Sequence, residues 1–198
     1  MKKYLALFGL ISLLVPVAQA SGILFEPAVT YEFGDTTVSY PQPVNNSTGT
    51  ARGIGFGARV GFNFADVFFA TVDGRYSMPQ FKDSSVNYDA KAVATNYGPT
   101  LGFRLPIVGF RVWGTYVAGA EMNPEQSGNF DVKFTQGKGY RLGGGFGFIL
   151  FNLNLEYQQI KYDNTNFEQV GPFVGGNSNS VTLEDRSWIV SASFPFDF

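Results

Sequence analysis

Most of the chain after residue 21 alternates apolar and polar residues with a period of two. In the segment 54–64, apolar side chains occupy every second position, and glycine, arginine and asparagine fill the positions between them. A β-strand sends successive side chains to opposite faces, whereas a helix repeats its apolar face every 3.6 residues. The alternation recurs in eight segments: 23–33, 54–64, 68–78, 93–105, 110–119, 140–150, 153–158 and 188–198. The pattern therefore predicts eight β-strands.

The connections between these segments alternate in length. Three are short turns, at 65–67, 106–108 and 151–152. Four are long, polar and rich in Gly, Asn, Ser and Pro, at 34–50, 79–91, 123–138 and 163–182. An even number of strands, with short turns at one end and long loops at the other, is typical of bacterial outer-membrane barrels. The alternation therefore favours an all-β, eight-stranded antiparallel up-and-down barrel with both termini on the short-turn side.

Two kinds of barrel compete for this pattern. In a water-soluble, lipocalin-like barrel the apolar positions face inward, and in a membrane barrel they face outward. The polar positions carry Gly, Ser, Thr, Asn and Arg rather than the Lys and Glu of a solvated surface, and glycine suits the crowded lumen of eight strands. We therefore expect a membrane barrel; a β-sandwich with aromatics in its core is the further alternative.

Aromatic residues on the apolar positions separate by type. Phenylalanines gather toward the short-turn end, as expected for one interfacial girdle of a membrane barrel. The second girdle, toward the long-loop end, is predicted to contain Tyr31, Tyr76, Tyr97, Tyr140, Tyr157, Tyr162 and Trp188.

The first twenty residues follow a different pattern. Two lysines precede an apolar run at 4–15, and Ala-Gln-Ala follows at 18–20. A charged start, a short apolar run and small residues before the cleavage point are typical of a secretory signal peptide. The run is shorter than the ~20 residues that a helix needs to cross a bilayer. We predict that residues 1–20 are a cleaved signal peptide and that 21–198 form the barrel domain.

Composition excludes several kinds of functional site. The chain has no cysteine and no histidine, which excludes disulfides, thiolate nucleophiles, Ser-His-Asp triads and Cys/His zinc sites. The net charge of −2 gives no reason to expect a nucleic-acid partner. The glycine-rich stretches 53–57 and 143–147 lie inside predicted strands, whereas a nucleotide-binding loop follows a strand and opens a helix. We predict that the chain is not an enzyme and needs no metal or cofactor.

The charged residues are sorted between the lumen and the loops. All five lysines after residue 20 fall in predicted loops or at strand ends, whereas most arginines fall on inward positions together with acids. Arginine pairs bidentately with carboxylates and is less strongly hydrated than lysine. The predicted lumen network contains Glu26, Glu32, Arg59, Asp73, Arg75, Arg104, Arg111, Glu121, Arg141 and Glu156. Its lower end is predicted to pack against Phe69, Trp113 and Ile149.

The C-terminal segment 188–198 has apolar, mostly aromatic residues at alternate positions. Its aromatic residues are Trp188, Phe194, Phe196 and Phe198. In this feature and in its eight strands the chain resembles the small outer-membrane β-barrels, such as outer membrane proteins X and W and the membrane domain of outer membrane protein A. The resemblance implies a location in the bacterial outer membrane with both termini periplasmic, and a terminal signal read by the barrel-assembly machinery. Pro27 and Pro195 depart from the pattern, because each removes a backbone donor, and they predict a local irregularity where the first and last strands meet.

The filled lumen and the long loops suggest different functions. Eight strands leave little internal space, so the charge network favours a closed barrel, with a narrow pore as the alternative. Loops on a rigid scaffold are common binding sites, and the loops hold seven aromatics predicted to be exposed: Tyr40, Phe81, Tyr88, Phe130, Phe134, Phe167 and Phe173. We predict a role in envelope structure or surface adhesion, with membrane lipid around the wall and an extracellular ligand at the loops. The alternative is a pore or carrier for small ions or small hydrophobic molecules, for which Trp113, Val117 and Ile189 give an apolar inner surface.

Overall fold

The computed structural model describes residues 21–65, 67–83, 88–105, 109–128, 130–170 and 173–198. The predicted signal peptide, residues 1–20, lies outside these ranges. Eight long strands are present: β1 Ser21–Ser39, β2 Ser47–Phe64, β3 Phe68–Asp83, β4 Tyr88–Leu105, β5 Phe110–Pro124, β6 Phe130–Gly147, β7 Asn152–Val170 and β8 Thr182–Ser193. Each pairs antiparallel with the next, and β8 pairs with β1. The sheet closes into the predicted eight-stranded antiparallel barrel.

The strands are longer than the sequence pattern predicts. Most residues in the four predicted long loops belong to strands, and the connections at that end are 40–46, 125–129 and 171–181, with 84–87 outside the described residues. Two-residue strands at Phe173–Val174 and Asn177–Ser178 pair with the end of β7. The prediction of long loops is therefore wrong for most of these residues. We call this end of the barrel the upper end, and the end with the short turns the lower end.

The wall changes polarity along its height, which explains that error. In the lower part, apolar side chains such as Val60, Val72 and Leu101 face outward and are half or more exposed, as in a wall surrounded by lipid. In the upper part, Val38, Phe81 and other apolar side chains are buried inside the barrel. The outward positions there are exposed and charged: Asp35, Arg52, Lys82, Lys91, Lys138, Lys161 and Arg186. The membrane pattern thus holds for the lower part, and the water-soluble pattern holds for the upper part.

Outward aromatic side chains mark the two edges of the apolar band. At its upper edge Tyr157 lies between Tyr140 and Trp188, at ring-centroid distances of 6.4 and 5.3 Å. Lower pairs are Phe68 with Phe103 at 5.3 Å and Phe25 with Phe196 at 6.3 Å. Amphipathic rings favour the headgroup level of a membrane. Tyr162 is wrongly assigned to the upper girdle: it lies above this level, where the apolar positions face inward, and is buried.

A β-bulge in β5 reverses the facing of its upper residues. The pairing of β5 shifts register between Val117 and Ala120 on the β6 side, and between Tyr97 and Thr100 of β4 on the other. Because side chains alternate with a period of two, one extra residue moves every later side chain to the opposite face. Val117 and Ala120 are both buried, so the positions that follow have the facing opposite to that predicted.

The seam between β1 and β8 is irregular near the two prolines, as predicted. Pairing runs from Ser39 with Thr182 down to Ala28 with Ser193, stops opposite Pro27 and Pro195, and resumes at Phe196–Asp197. Below the gap the chain end is held firmly, because Ile23 and Phe198 exchange two backbone hydrogen bonds of 2.9 Å. The aromatic residues of the predicted assembly signal all face outward: Trp188, Phe194, Phe196 and Phe198. Within the described residues there is no helix that could cross a bilayer.

Candidate functional site: the lumen and the chamber above it

Asp73 on β3 lies at the centre of a layer of charged side chains across the lumen. Its Oδ2 accepts hydrogen bonds from Arg59 Nε at 2.9 Å and Arg75 Nη2 at 3.1 Å. Its Oδ1 accepts from Arg75 Nε at 3.0 Å and Arg141 Nη1 at 2.8 Å. One carboxylate therefore contacts three guanidinium groups, which come from β2, β3 and β6.

Glu156 on β7 is the second carboxylate at this level. Both of its oxygens accept from Arg75 Nη2 at 2.9 Å, and Oε2 lies 3.4 Å from Arg59 Nη2 and 3.8 Å from Arg141 Nε. We call Arg59, Asp73, Arg75, Arg141 and Glu156 the charge layer. Each of these side chains is at most 7% exposed. A buried pair is favourable only when its geometry is good and its remaining donors and acceptors are satisfied, and the shared contacts supply most of these partners.

The charge layer leaves almost no space around it. The cavity beside Glu26, Arg59, Asp73 and Arg75 has a volume of about 10 Å³. A single water needs about 10–15 Å³ of such volume. Side chains thus fill the space beside these four residues.

A second ion pair lies below the charge layer. Arg111 donates from Nη1 and Nη2 to the two oxygens of Glu26, at 2.8 and 2.5 Å. The same Nη2 also lies 2.7 Å from Asn154 Oδ1 and 2.9 Å from Ser193 Oγ. The bidentate pair joins β1 to β5 across the lumen, and the two polar side chains tie it to β7 and β8.

Three apolar side chains fill the lumen around these arginines: Leu24, Phe69 and Trp113. The Trp113 ring contacts two guanidinium groups: its centroid lies 4.3 Å from Arg59 Cζ and 5.0 Å from Arg111 Cζ, a cation–π arrangement. The ring fits because β6 has Gly143 behind it; a Cβ there would lie 2.4 Å from the indole. This contact explains why one of the glycine-rich stretches occurs inside a strand.

The structure places most of the predicted lumen residues inside the barrel, with two corrections. The predicted inward position of Glu121 is wrong, because this residue follows the β5 bulge. Its side chain faces outward, is 53% exposed and pairs with Lys133 at 2.8 Å. The predicted inward position of Ile149 is also wrong. Strand β6 ends at Gly147, so side chains no longer alternate between the two faces, and Ile149 is fully exposed in the turn. Arg104 is only partly buried and lies apart from the charge layer, 3.6 Å from Asp197 at the lower rim.

Two carboxylates lie above the charge layer. Glu32 accepts a hydrogen bond from Ser77 at 3.1 Å. Asp185, one level higher on β8 and above the aromatic girdle, accepts from Ser187 at 2.6 Å and from Gln158 at 3.2 Å. Burial raises the pKa of Asp185 to about 6, although these hydrogen bonds favour its ionised form.

The sequence prediction missed Asp185 because the eighth segment began only at residue 188. The inward positions of that segment carry Ser187, Ser191 and Ser193, and continuing the same alternation upward by two residues reaches Asp185. The signal was present in the sequence, but the polar outward residues above the membrane concealed that the strand continues.

An apolar chamber occupies the upper end of the barrel. Its cavity has a volume of about 130 Å³ and is lined by Val38, Tyr40, Phe81, Asp83, Tyr88, Val132, Phe134, Thr165, Phe167 and Val181. We call this space the upper chamber. Phe81, Tyr88 and Phe134 were predicted to be exposed loop aromatics, and that prediction is wrong because they lie on strands and face inward. The deeper apolar side chains Ile160, Tyr162 and Leu183 belong to the same buried cluster.

The described residues contain no group of three or more potential metal ligands from His, Cys, Asp and Glu. The charge layer places paired charges across the lumen, and the upper chamber has room for a small ligand.

Comparison with known proteins agrees with the architecture. A model of the outer membrane protein beta-barrel domain matches residues 5–196. No curated protein matches the chain. The crystal structure of Ail, the attachment invasion locus protein of Yersinia pestis, in complex with the heparin analogue sucrose octasulfate is similar at 15% identity, with 87% of this chain and 99% of that chain covered and a TM-score of 0.50. The outer membrane protein OprG from Pseudomonas aeruginosa is similar at 11% identity, with 89% and 95% covered and a TM-score of 0.51. At these identities the two structures show a shared fold.

Proposed function

Since the chain belongs to the outer membrane protein beta-barrel domain family, and is thus a β-barrel of the bacterial outer membrane, we propose that it works at the cell surface as a sealed scaffold and not as a pore. In this proposal the wall contributes to envelope structure, and the upper end contacts molecules outside the cell. No catalysis is involved. The observation that carries the proposal is the charge layer.

Several features of the charge layer support a sealed lumen. Its side chains come from four strands, β2, β3, β6 and β7, so it spans the lumen instead of lining one side. The cavity beside it is the size of one water molecule. Opening a path would break charge-assisted hydrogen bonds, which contribute about 1.5–3 kcal/mol each. A steady ion current through this level would have to overcome several of them at once.

The direction of insertion is part of the proposal. Short turns in barrels of this kind are periplasmic, so both termini would be periplasmic and the upper end extracellular. The outward C-terminal aromatics would be read by the barrel-assembly machinery, and lipid would surround the apolar band. Connections 40–46 and 171–181 would meet extracellular partners, a role for which Ail, named for attachment, is a precedent on the same fold.

Conductance tests the sealed lumen directly. The purified chain is inserted into a planar bilayer, with a general porin in the same membrane as a positive control. We expect no steady current steps from the chain at voltages where the porin conducts. Stable steps of nanosiemens size would overturn the proposal.

Attachment tests the surface role. Cells expressing the wild-type chain are compared with cells expressing a variant in which 171–181 is replaced by a short Gly-Ser turn, at equal surface levels. We expect weaker binding of the variant to host-type surfaces. Equal binding would leave only the envelope-structural role.

The upper chamber favours a second candidate, carriage of small hydrophobic molecules. Its lining is almost entirely apolar, but the charge layer lies beneath it. Uptake of a small aromatic compound into vesicles that contain the chain would support carriage, and uptake equal to that of protein-free vesicles would contradict it.

A further inference from the structure

We propose that the upper chamber is a binding site for a small organic cation whose charge is carried among methyl groups, such as a trimethylammonium group. The inference goes beyond the proposed function and needs only the fold, since the chamber is built by the upper parts of the strands. Four observations carry it: the size of the cavity, its aromatic lining, a carboxylate in that lining, and the two acidic side chains beneath it.

The cavity has the right size for such a group. Its volume of about 130 Å³ is close to that of the ~150 Å³ cavities that hold a single benzene ring. A trimethylammonium group is a similarly compact body, whereas a sugar ring with its water shell or a long acyl chain is too large. Tyr40, Val132 and Phe167 line the cavity and are only half-buried, so the cavity is nearest to solvent on their side.

Aromatic rings make up much of the chamber lining. Five of the ten lining residues are aromatic: Tyr40, Phe81, Tyr88, Phe134 and Phe167. Two of the other rings pack near Phe81, whose ring centroid lies 6.0 Å from that of Tyr88 and 6.2 Å from that of Phe134. The faces of aromatic rings carry negative electrostatic potential and attract cations, and quaternary ammonium groups are bound in aromatic cages.

Asp83 adds a negative charge to this apolar lining. It is buried at the upper end of β3 and accepts a hydrogen bond of 2.5 Å from Ser47 Oγ. No Lys or Arg is among the described residues that line the chamber. A buried carboxylate beside aromatic rings therefore favours a positively charged occupant over a neutral one and strongly disfavours an anion.

Two acidic side chains, Glu32 and Asp185, lie below the chamber. Leu183 pairs with Val38 in the wall, and Asp185 pairs with Thr36 two residues lower. Glu32 lies on the same strand as Thr36, beneath it and above the charge layer. A cation in the chamber would lie above these two acids, and the arginines would be further away. A metal ion is a poorer occupant, because Mg²⁺ and Ca²⁺ need six or more oxygen ligands.

A matched pair of ligands tests the inference. Choline and 3,3-dimethylbutan-1-ol have the same shape, but only choline carries a charge. Binding of each to the full-length folded barrel in detergent is measured by calorimetry and by saturation-transfer NMR. We expect choline to bind at least tenfold more tightly than the alcohol. Equal or tighter binding of the alcohol would show a site for neutral molecules, and no binding of either would show an empty packing defect; both results overturn the proposal.

Substitutions locate the effect. Asp83→Asn should weaken choline binding at least tenfold and leave the alcohol unchanged, whereas Asp89→Asn, which changes an exposed acid paired with Lys82, should alter neither. Phe81→Leu keeps the lining apolar and removes a central ring, so it should weaken choline binding several-fold. This variant tests the site independently if Asp83→Asn does not fold. Choline binding that survives Phe81→Leu unchanged would place the ligand elsewhere and overturn the assignment.

Discussion

Replacing Asp73 by asparagine tests whether the charge layer is a tightly coupled unit. The substitution keeps the shape of the side chain and removes one negative charge from the centre of the lumen. Arg59, Arg75 and Arg141 would then face Glu156 as the only carboxylate of the layer. Because all of these side chains are buried, water cannot readily replace the lost charge.

The expected loss can be worked out from the contacts. Each Asp73 oxygen accepts two hydrogen bonds from arginine. Asparagine has one carbonyl oxygen and presents an NH₂ group, itself a donor, on the other side, so two of the four bonds are lost. At about 1.5–3 kcal/mol for each charge-assisted bond, the loss is about 3–6 kcal/mol. This agrees with the ~3–5 kcal/mol typical of removing one partner from a buried ion pair.

Reversible urea unfolding from lipid vesicles measures this change. Tryptophan fluorescence is a suitable signal, since one of the two tryptophans, Trp113, packs against Arg59 of the layer. The matched control is Glu121→Gln, which removes an acid from an exposed pair and should change the free energy of unfolding by less than about 0.5 kcal/mol.

A small effect would refute the reasoning. If Asp73→Asn lowered the free energy of unfolding by less than about 1 kcal/mol, while Glu121→Gln behaved as expected, the arginines would have to be hydrated in the native state. The lumen would then contain water at this level, and the argument for a sealed barrel would lose its main support.

Three further predictions concern packing, the seam and pH. Gly143→Ala should lower the free energy of unfolding by about 1–3 kcal/mol, because the added Cβ overpacks against Trp113. The control is Gly74→Ala, where a Cβ meets nothing within 4 Å; in the same urea assay it should be neutral or slightly stabilising. Deleting Phe198 should slow refolding into vesicles, because it removes the two 2.9 Å backbone hydrogen bonds to Ile23. The control Phe198→Ala retains these hydrogen bonds and removes only the ring. Equal slowing by both variants would show that the ring matters and not the hydrogen bonds. Since the pKa of Asp185 is raised by burial to about 6 from 3.8, the native state binds its proton more tightly than the unfolded chain does. Its contribution to stability is therefore full below pH 3.8 and is lost as pH rises through about 6. Wild type should gain stability relative to Asp185→Asn between pH 8 and pH 5, and a constant difference would contradict the raised pKa.

The sequence by itself determined the lower part of the barrel. Strand number, antiparallel order, the outward apolar band and the inward position of residues such as Asp73 and Glu156 all follow from a period of two, because lipid on one side and a crowded lumen on the other impose opposite chemistry on alternate positions. The irregularity where β1 meets β8 could also be predicted from the sequence, since proline has no backbone N–H to donate to a neighbouring strand.

Only the tertiary structure decided the upper part and the pairing within the lumen. Above the aromatic girdle the wall meets water, so the apolar positions turn inward, and the rule that holds for Tyr157 fails for Tyr162. The facing of Glu121 depended on a bulge in β5, which adds one residue without any mark in the local pattern. That Asp73 contacts three arginines, and that Phe81 and Asp83 line one cavity, depends on which strands face each other across the closed sheet. Alternation fixes the face of a side chain, whereas its partner is fixed by the register and closure of the whole barrel.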